Sequence, residues 1–121
     1  MRYAVLLYAD ADLPAGPGGP EWEQSLPTQL AFAARLNAEG IPFTAGGLYS
    51  VQSATSLRRR DGELISSDGP FAETKEQLWG YYDLEAPDLD AVVRLLDGLW
   101  ELDHGTVEIR PVFPASSPPP A

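Results

Sequence analysis

Two helical patterns, each lying between runs of strand-forming residues, most restrict the folds open to this chain. Apolar residues recur at helical spacing over 21–39 and again over 89–100. Strand patterns occupy 3–8, 42–48, 54–59, 63–67, 79–85 and 106–112. The order is therefore strand, helix, strand, hairpin, strand, helix, strand. It predicts a split βαβ pair with an inserted β-hairpin, in which two helices cover one face of an antiparallel sheet.

The signals at the helix ends and at the hairpin turn define these elements further. Arg60-Asp61-Gly62 is typical of a tight hairpin turn. Gly40 ends the first helix, and Pro27 lies inside its pattern. Because proline lacks a backbone donor, we expect the helix to restart with Ser25 as its cap, leaving 21–24 as a separate turn. Asp88 is expected to cap the second helix, which continues to Trp100.

The charge of the chain disfavours one class of partner. It has 18 acidic and 8 basic residues, which give a net charge of −10. Nucleic-acid binding depends on Lys and Arg that neutralise phosphates, so we predict no nucleic-acid partner.

Cysteine usage and the first strand bear on compartment. The absence of cysteine excludes disulfides, thiol catalysis and thiolate zinc sites, and it is compatible with the cytoplasm. The apolar run at 3–8 is too short to span a membrane, and Asp10 follows it without a cleavage-site pattern. We expect a cytoplasmic protein that does not interact with membranes. It should have one domain over 1–113 and a disordered Pro-rich tail over 114–121.

The segment 67–78 contains the most specific motif. Asp68 can bond forward to its own turn, Gly69 can adopt a backbone conformation closed to other residues, and Pro70 fixes the exit direction. Together with 79–85, the turn and helix start at 86–90, and the ending at 107–112, this segment resembles the DGPF-type branch of the YciI-related domain family. The resemblance covers about 1–113. It implies a ferredoxin-like α+β fold of the dimeric α/β-barrel type, frequent genomic proximity to extracytoplasmic-function sigma factors, and in most members no assigned reaction.

Asp68 is the candidate catalytic residue. A carboxylate on a rigid turn at the mouth of a cleft can act as a general acid or base if its surroundings raise its pKa. The alternative is an Asx turn with no chemistry, because Asp before Gly is common in plain turns. In the YciI branch, the resemblance implies an aspartate paired with a histidine on the first helix. That histidine position aligns with Gln29, which does not titrate, so the departure favours binding or a single-carboxylate mechanism.

Because Tyr8, Phe71, Trp79 and Tyr81 are aromatic and close to the same end of the predicted sheet, we expect a mostly apolar pocket with a few polar points there. The candidate ligand-binding residues belong to this expected pocket. They are Tyr8, Gln29, Gly69, Phe71 and Tyr81. Packing in the core or in a dimer explains the aromatic members equally well. We predict no metal, because His104 is the only histidine and no ligand spacing accompanies it. We predict no organic cofactor either, because the chain lacks a Gly-rich phosphate loop and a dinucleotide fingerprint.

Two classes of function remain, with a vestigial cleft as a third possibility for which Gln29 in place of histidine is the main argument. The first is a domain that binds a small molecule, with lyase- or isomerase-like proton transfer through Asp68 as a further step. The alternative is a non-catalytic accessory or regulatory protein, either a ligand sensor or a partner of an extracytoplasmic-function sigma factor. In both, a homodimer packed through the helix-free sheet face would cover apolar surface there. Aromatic residues stand at both odd and even positions of 79–85, so the sequence leaves open which face of this strand packs against the helices.

Overall fold

The computed structural model describes residues 1–14 and 18–114. The predicted Pro-rich tail lies outside the described residues apart from Pro114. The strands and α-helices in the described part are β1 (Arg2–Asp10), α1 (Pro20–Ala38), β2 (Phe43–Gly47), β3 (Thr55–Arg60), β4 (Glu63–Asp68), β5 (Glu76–Glu85), α2 (Leu89–Leu95), α3 (Trp100–His104) and β6 (Thr106–Val112), with a 3₁₀ turn at Val51–Ser53.

The main sheet has the strand order β2-β5-β1-β6, and all its neighbouring strands pair antiparallel. This is the ferredoxin-like order, in which the two central strands each belong to a different βαβ half. β3 and β4 form a separate two-stranded sheet inserted between β2 and β5. The predicted α+β fold with an inserted hairpin is thereby confirmed.

The side chains of β1 alternate between the two faces of the sheet. Tyr3, Val5, Leu7 and Ala9 are buried, and the core continues in residues of the helices, of β5 and of the turn before α3, among them Phe32, Leu36, Leu84, Val92 and Leu99. The same alternation shows which side chains of β5 face the helices. Tyr82 is buried against Phe32 of α1, whereas Tyr81 lies on the helix-free face and is 39% exposed.

The first helix differs from the prediction. α1 is continuous through Pro27 and begins at Pro20, with Gly19 in the N-cap position. Pro20 suits the first turn of the helix, where its missing N–H leaves no helical bond unmade. Pro27 lies in the interior and cannot donate to the carbonyl of Glu23, yet the helix continues past it. Ser25 does not cap a helix, because it is fully buried and its hydroxyl bonds to a carboxylate from α3. The predicted restart at Ser25 is therefore wrong.

The second helical pattern also differs, because it forms two helices. Asp88 caps α2 as predicted, with Oδ1 accepting from the N–H of Ala91 at 2.8 Å. The chain then leaves the helix at 96–99, where Gly98 has φ +93°, and α3 begins at Trp100. A left-handed glycine ends a helix readily because it has no Cβ to clash. This break turns α3 so that Glu101 faces the core.

Candidate functional site

A cavity of about 190 Å³ lies between α1 and the edge of the sheet formed by β2 and β5. Trp22, Leu26 and Gln29 form its wall on α1. Their spacing of four and then three residues places them on one face of the helix. The lining is mainly apolar, and its members are Leu7, Trp22, Leu26, Gln29, Ala45, Gly46, Gly47, Gly80, Tyr81 and Tyr82.

Glycines form the opposite wall of this cavity. Gly47 of β2 pairs with Gly80 of β5, so two strands meet there without side chains. A Cβ at Gly47 would lie 2.8 Å from Cη2 of Trp22. Glycine at this position is therefore what lets the strand approach the indole ring so closely.

A β-bulge places Trp79 next to this cavity. Leu7 pairs with Gly80 and Tyr8 pairs with Leu78, which leaves Trp79 without a partner on β1. Its indole ring is buried, packs edge-on against Trp22 at 5.4 Å and stacks with Trp100 at 5.5 Å between ring centroids. Bulges commonly re-aim a side chain beside a functional site.

Glu101 of α3 is fully buried beneath the cavity wall. Its Oε2 accepts from Ser25 Oγ at 2.7 Å, from Trp79 Nε1 at 2.9 Å and from Gln29 Nε2 at 3.2 Å. Its Oε1 is buried and has no hydrogen-bond partner within the described part of the chain. No Lys or Arg described in the structure pairs with it, since the ion pairs formed there involve other groups. A buried carboxyl group held only by neutral donors is costly to place in a core and indicates a specific role.

Gln29 connects this carboxyl group to Tyr82. The Nε2 group of Gln29 faces Glu101 and also lies 3.3 Å from Ser25 Oγ, while its Oε1 accepts the hydroxyl proton of Tyr82. Burial, and then the nearby charge of Glu101, raises the pKa of Tyr82 to about 12. The phenol therefore keeps its proton at neutral pH and stays a hydrogen-bond donor to Gln29. Together, Ser25, Gln29, Trp79, Tyr82 and Glu101 are called the buried polar cluster below.

This arrangement suits recognition better than proton transfer. A carboxamide does not titrate, and the phenol of Tyr82, with its pKa raised to about 12, stays protonated at neutral pH. The cavity offers apolar surface together with the fixed polar atoms of Gln29 and Tyr82. Such a lining can bind and orient a small uncharged molecule.

Gln29 and Tyr81, two of the ligand-binding residues predicted from the sequence, both line this cavity. Tyr81 lies across Gly46, where a Cβ would come within 2.7 Å of its hydroxyl oxygen. Tyr8 lies on the helix-free face of β1 and does not line the cavity. Its hydroxyl donates to Glu108 at 3.2 Å, and burial, together with that carboxylate, raises the pKa of Tyr8.

Asp68, Gly69 and Phe71 lie on or just after the hairpin. Asp68 ends β4 opposite Thr55 and is exposed. Gly69 has φ +96°, so the turn needs glycine there, and its N–H donates to the carbonyl of Ala54 at 2.7 Å. Phe71 is 77% exposed.

The hairpin has a cavity of its own, separate from the one that Gln29 lines. Its volume is about 470 Å³, and it is lined by Ser56, Arg58, Arg60, Ile65, Ser67, Pro70 and Phe71. Asp68 and Gly69 are not in its lining, and none of Asp68, Gly69 and Phe71 lines the cavity on α1. The structure therefore does not bring Asp68 and Gln29 together, and the catalytic role of Asp68 stays a prediction.

Sequence reasoning missed Glu101 and Tyr82, whereas Trp79 was among the aromatic residues expected near the pocket. One weak signal was present, since Glu101 directly follows the apolar pair at 99–100 in a pattern interpreted as a single amphipathic helix. Its partners Ser25, Gln29 and Trp79 are 76, 72 and 22 positions away. Residue spacing alone does not predict such a contact.

Two further properties of the described residues bear on the kind of site. Within 1–14 and 18–114, no three His, Asp or Glu side chains are grouped as a metal site would require. In the same ranges, no helix is both long enough and apolar enough to cross a membrane.

Comparison with known proteins places these features in a family. A family model described as a YCII-related domain matches residues 1–116. A protein of Rhizobium meliloti (strain 1021), described as uncharacterized, is 33% identical over 114 residues, which is 93% of this chain and 92% of that protein. The family match includes all the strands and helices described above, both cavities and the buried polar cluster.

Proposed function

The chain belongs to the YCII-related domain family, and on that premise we propose that it binds a small, mostly apolar molecule in the cavity between α1 and the β2–β5 edge. The observation that carries this proposal is the pairing of a glycine wall with Gln29, whose amide is held from behind by buried Glu101. The turn at 68–71 supports assignment to the DGPF-type branch of the family.

The size of the cavity limits the ligand. Its volume of about 190 Å³ is slightly larger than that of the dry apolar cavity of ~150 Å³ known to hold benzene. A compound with one ring or two small fused rings fits this volume. Trp22, Leu7 and Leu26 would contact its apolar surface, and Gln29 and Tyr82 would orient its polar atom.

Binding without proton transfer is the function that this cavity favours. Gln29 stands where the resemblance places a histidine in the YciI branch, and a carboxamide does not exchange protons. Lyase- or isomerase-like transfer through Asp68 would require that carboxylate to reach the bound ligand, and Asp68 lines neither cavity. We therefore propose a binding domain first, with catalysis through Asp68 as an additional step only if a second element brings it close.

A substitution that fills the cavity tests the proposal. Gly80 lines the cavity, and a Cβ there would meet the Gly46 carbonyl oxygen and Leu7 Cδ1 at an ordinary 3.5 Å. Gly80→Val should therefore fold and occupy the ligand space. We expect wild type to bind phenol, indole or a small lactone in isothermal titration and ligand-observed NMR, and Gly80→Val to lose that binding. Asp68→Asn is the matched control and should bind like wild type.

Two outcomes would contradict the proposal. One is a folded Gly80→Val protein, checked by its amide NMR spectrum, that binds the same compounds with unchanged affinity. The other is a wild-type protein that binds none of them at millimolar concentration.

The assembly is a separate proposal. Leu6, Tyr8 and Tyr81 lie on the helix-free face of the sheet, where a second copy of the chain would cover them. We propose a homodimer through this face, and light scattering measures it directly. The accessory or regulatory alternative is favoured by the net charge of −10, which suits a basic protein partner.

A further inference from the structure

We propose that Glu101 makes the cavity selective for ligands that carry a hydrogen-bond donor, such as a ring N–H or hydroxyl group. The inference rests on the proposed function and names the class of ligand for the same site. Glu101 acts here as a positioning residue, because it does not line the cavity itself.

The first step concerns the direction of the hydrogen bonds around Glu101. Its Oε2 accepts from three groups, two of which, Ser25 Oγ and Trp79 Nε1, approach within 2.9 Å. The indole nitrogen is a donor only, and the serine hydroxyl gives its one proton to the carboxyl oxygen. The third group, the Gln29 amide, must therefore also present its N–H side to Glu101 and Ser25.

The orientation of the Gln29 amide also fixes the hydrogen bond between Gln29 and Tyr82 at the cavity wall. With the Gln29 nitrogen facing Glu101, its Oε1 faces Tyr82, and the phenol must donate to it. The hydroxyl proton of Tyr82 is then used in its hydrogen bond to Gln29 and is not available to a ligand. What Gln29 and Tyr82 still offer to a ligand is lone pairs, one on Oε1 and others on the phenol oxygen. Both residues line the cavity, so this wall accepts hydrogen bonds and has no free proton to donate.

The consequence is a preference that depends on a residue behind the wall. A ligand with a donor satisfies the lone pairs, whereas a ligand that only accepts leaves its own lone pairs facing them, at the cost of an unsatisfied buried group. Trp22 also lines the cavity, and its indole N–H is a donor. The Trp22 N–H can also bond to a ligand, so a series of ligands tested on wild type alone would mix its contribution with that of Gln29 and Tyr82. Substitution of Glu101 separates the two, because of these three lining residues it affects only Gln29 and Tyr82.

Glu101→Met should remove this control while keeping a side chain of similar length in the core. A methionine at 101 has no carboxyl oxygen to accept from Gln29, whereas a glutamine would keep its carbonyl oxygen there because Trp79 Nε1 can only donate. In Glu101→Met the Gln29 amide is free to turn, which allows Tyr82 to accept from Gln29 and to direct its own proton into the cavity. No atom that lines the cavity has been changed, yet the direction of the hydrogen bonds on its wall is no longer fixed.

The experiment compares three isosteric probes, indole, benzofuran and indene, which offer a donor, an acceptor and neither. We expect wild type to bind indole roughly three- to tenfold more tightly than benzofuran in isothermal titration, the range that one neutral hydrogen bond gives. In Glu101→Met this ratio should fall to about one. Glu63→Met, the same change on the exposed hairpin, should keep the wild-type ratio.

Each result decides between the two claims. Equal binding of indole and benzofuran by wild type, or an unchanged ratio in Glu101→Met, would overturn the role of Glu101 and leave the binding site standing. Failure of all three probes to bind wild type would overturn the proposed function itself. If Glu101→Met does not fold, Gln29→Leu takes its place, because it removes the accepting oxygen of Gln29 and must also abolish the preference.

Discussion

The buried polar cluster and the β3–β4 hairpin differ in almost every physical property that bears on binding. In the cluster, polar groups from α1, α3 and β5 bond to one another inside the core, across 22 to 76 positions of sequence. In the hairpin, paired residues lie close together in the chain, and most side chains are exposed. Hydrogen bonds in a low-dielectric interior hold their geometry, whereas exposed ones compete with water. The cluster thus has the fixed geometry that the proposed binding function requires, whereas the hairpin presents an exposed surface.

The largest expected difference between the two regions follows removal of a carboxylate from each. Glu101→Leu leaves Ser25, Gln29 and Trp79 with donors that have lost their acceptor, so we expect the free energy of unfolding to fall by about 3 kcal/mol. Glu63→Leu on the hairpin should change it by less than about 0.5 kcal/mol. Urea denaturation of both variants measures the contrast. Equal losses would show that the two regions do not differ as described.

A smaller effect should come from Tyr82, with a pH dependence of known sign. Tyr82→Phe removes one hydrogen bond and should cost about 1 kcal/mol at pH 8. The folded-state pKa of Tyr82 is about 12, above the ordinary 10. The protonated phenol therefore stabilises the fold fully below pH 10, and this contribution is lost as the pH rises toward 12.

The gap in Tm between wild type and Tyr82→Phe should accordingly narrow from pH 9 to pH 11.5. Thermal melts followed by circular dichroism at half-unit steps measure it, and Tyr81→Phe on the exposed face serves as the control. A gap that stays constant over this range would place the phenol of Tyr82 outside the buried network.

The smallest effect is expected at Asp68. Because its carboxylate is exposed and lines neither cavity, Asp68→Asn should change the free energy of unfolding by less than about 0.5 kcal/mol. The affinity for a one-ring ligand should also be unchanged. Denaturation and titration on the same preparation check both values. An affinity loss greater than about threefold would mean that the hairpin and the cavity act as one site, which would break the comparison.

The sequence predicted the elements that local patterns define. The alternation at 3–8, the Asp-Gly turn and the cap at Asp88 each depend on neighbouring residues, and the structure has a strand, a hairpin and a helix start there. The passage of α1 through Pro27 depends on tertiary packing, since the Ser25 hydroxyl donates to Glu101 of α3 and does not cap a helix. The break at Gly98 was missed because the apolar spacing continues across it.

The site was harder to predict than the fold. Gln29 was found through the resemblance, and Tyr81 through its aromatic character next to other aromatic residues. Glu101 was not found, because a carboxyl group becomes buried only where the tertiary structure supplies donors, and its three donors come from two other elements. Which face of the sheet Tyr82 occupies depends on the pairing register of β5, and the sequence does not determine that register because aromatic residues stand at both odd and even positions.

The bulge at Trp79 has a consequence for changes in the length of β5. In a regular strand, positions 79 and 82 would point to opposite faces, yet both side chains reach the buried polar cluster because one residue is left over in the pairing with β1. Deleting a single residue between them would remove the bulge and leave the two positions two apart, so both rings would still face the helices. Loss of the bulge at unchanged strand length would instead turn one of the rings out toward the helix-free face, so the cluster depends on the length of β5 and on its bulge together.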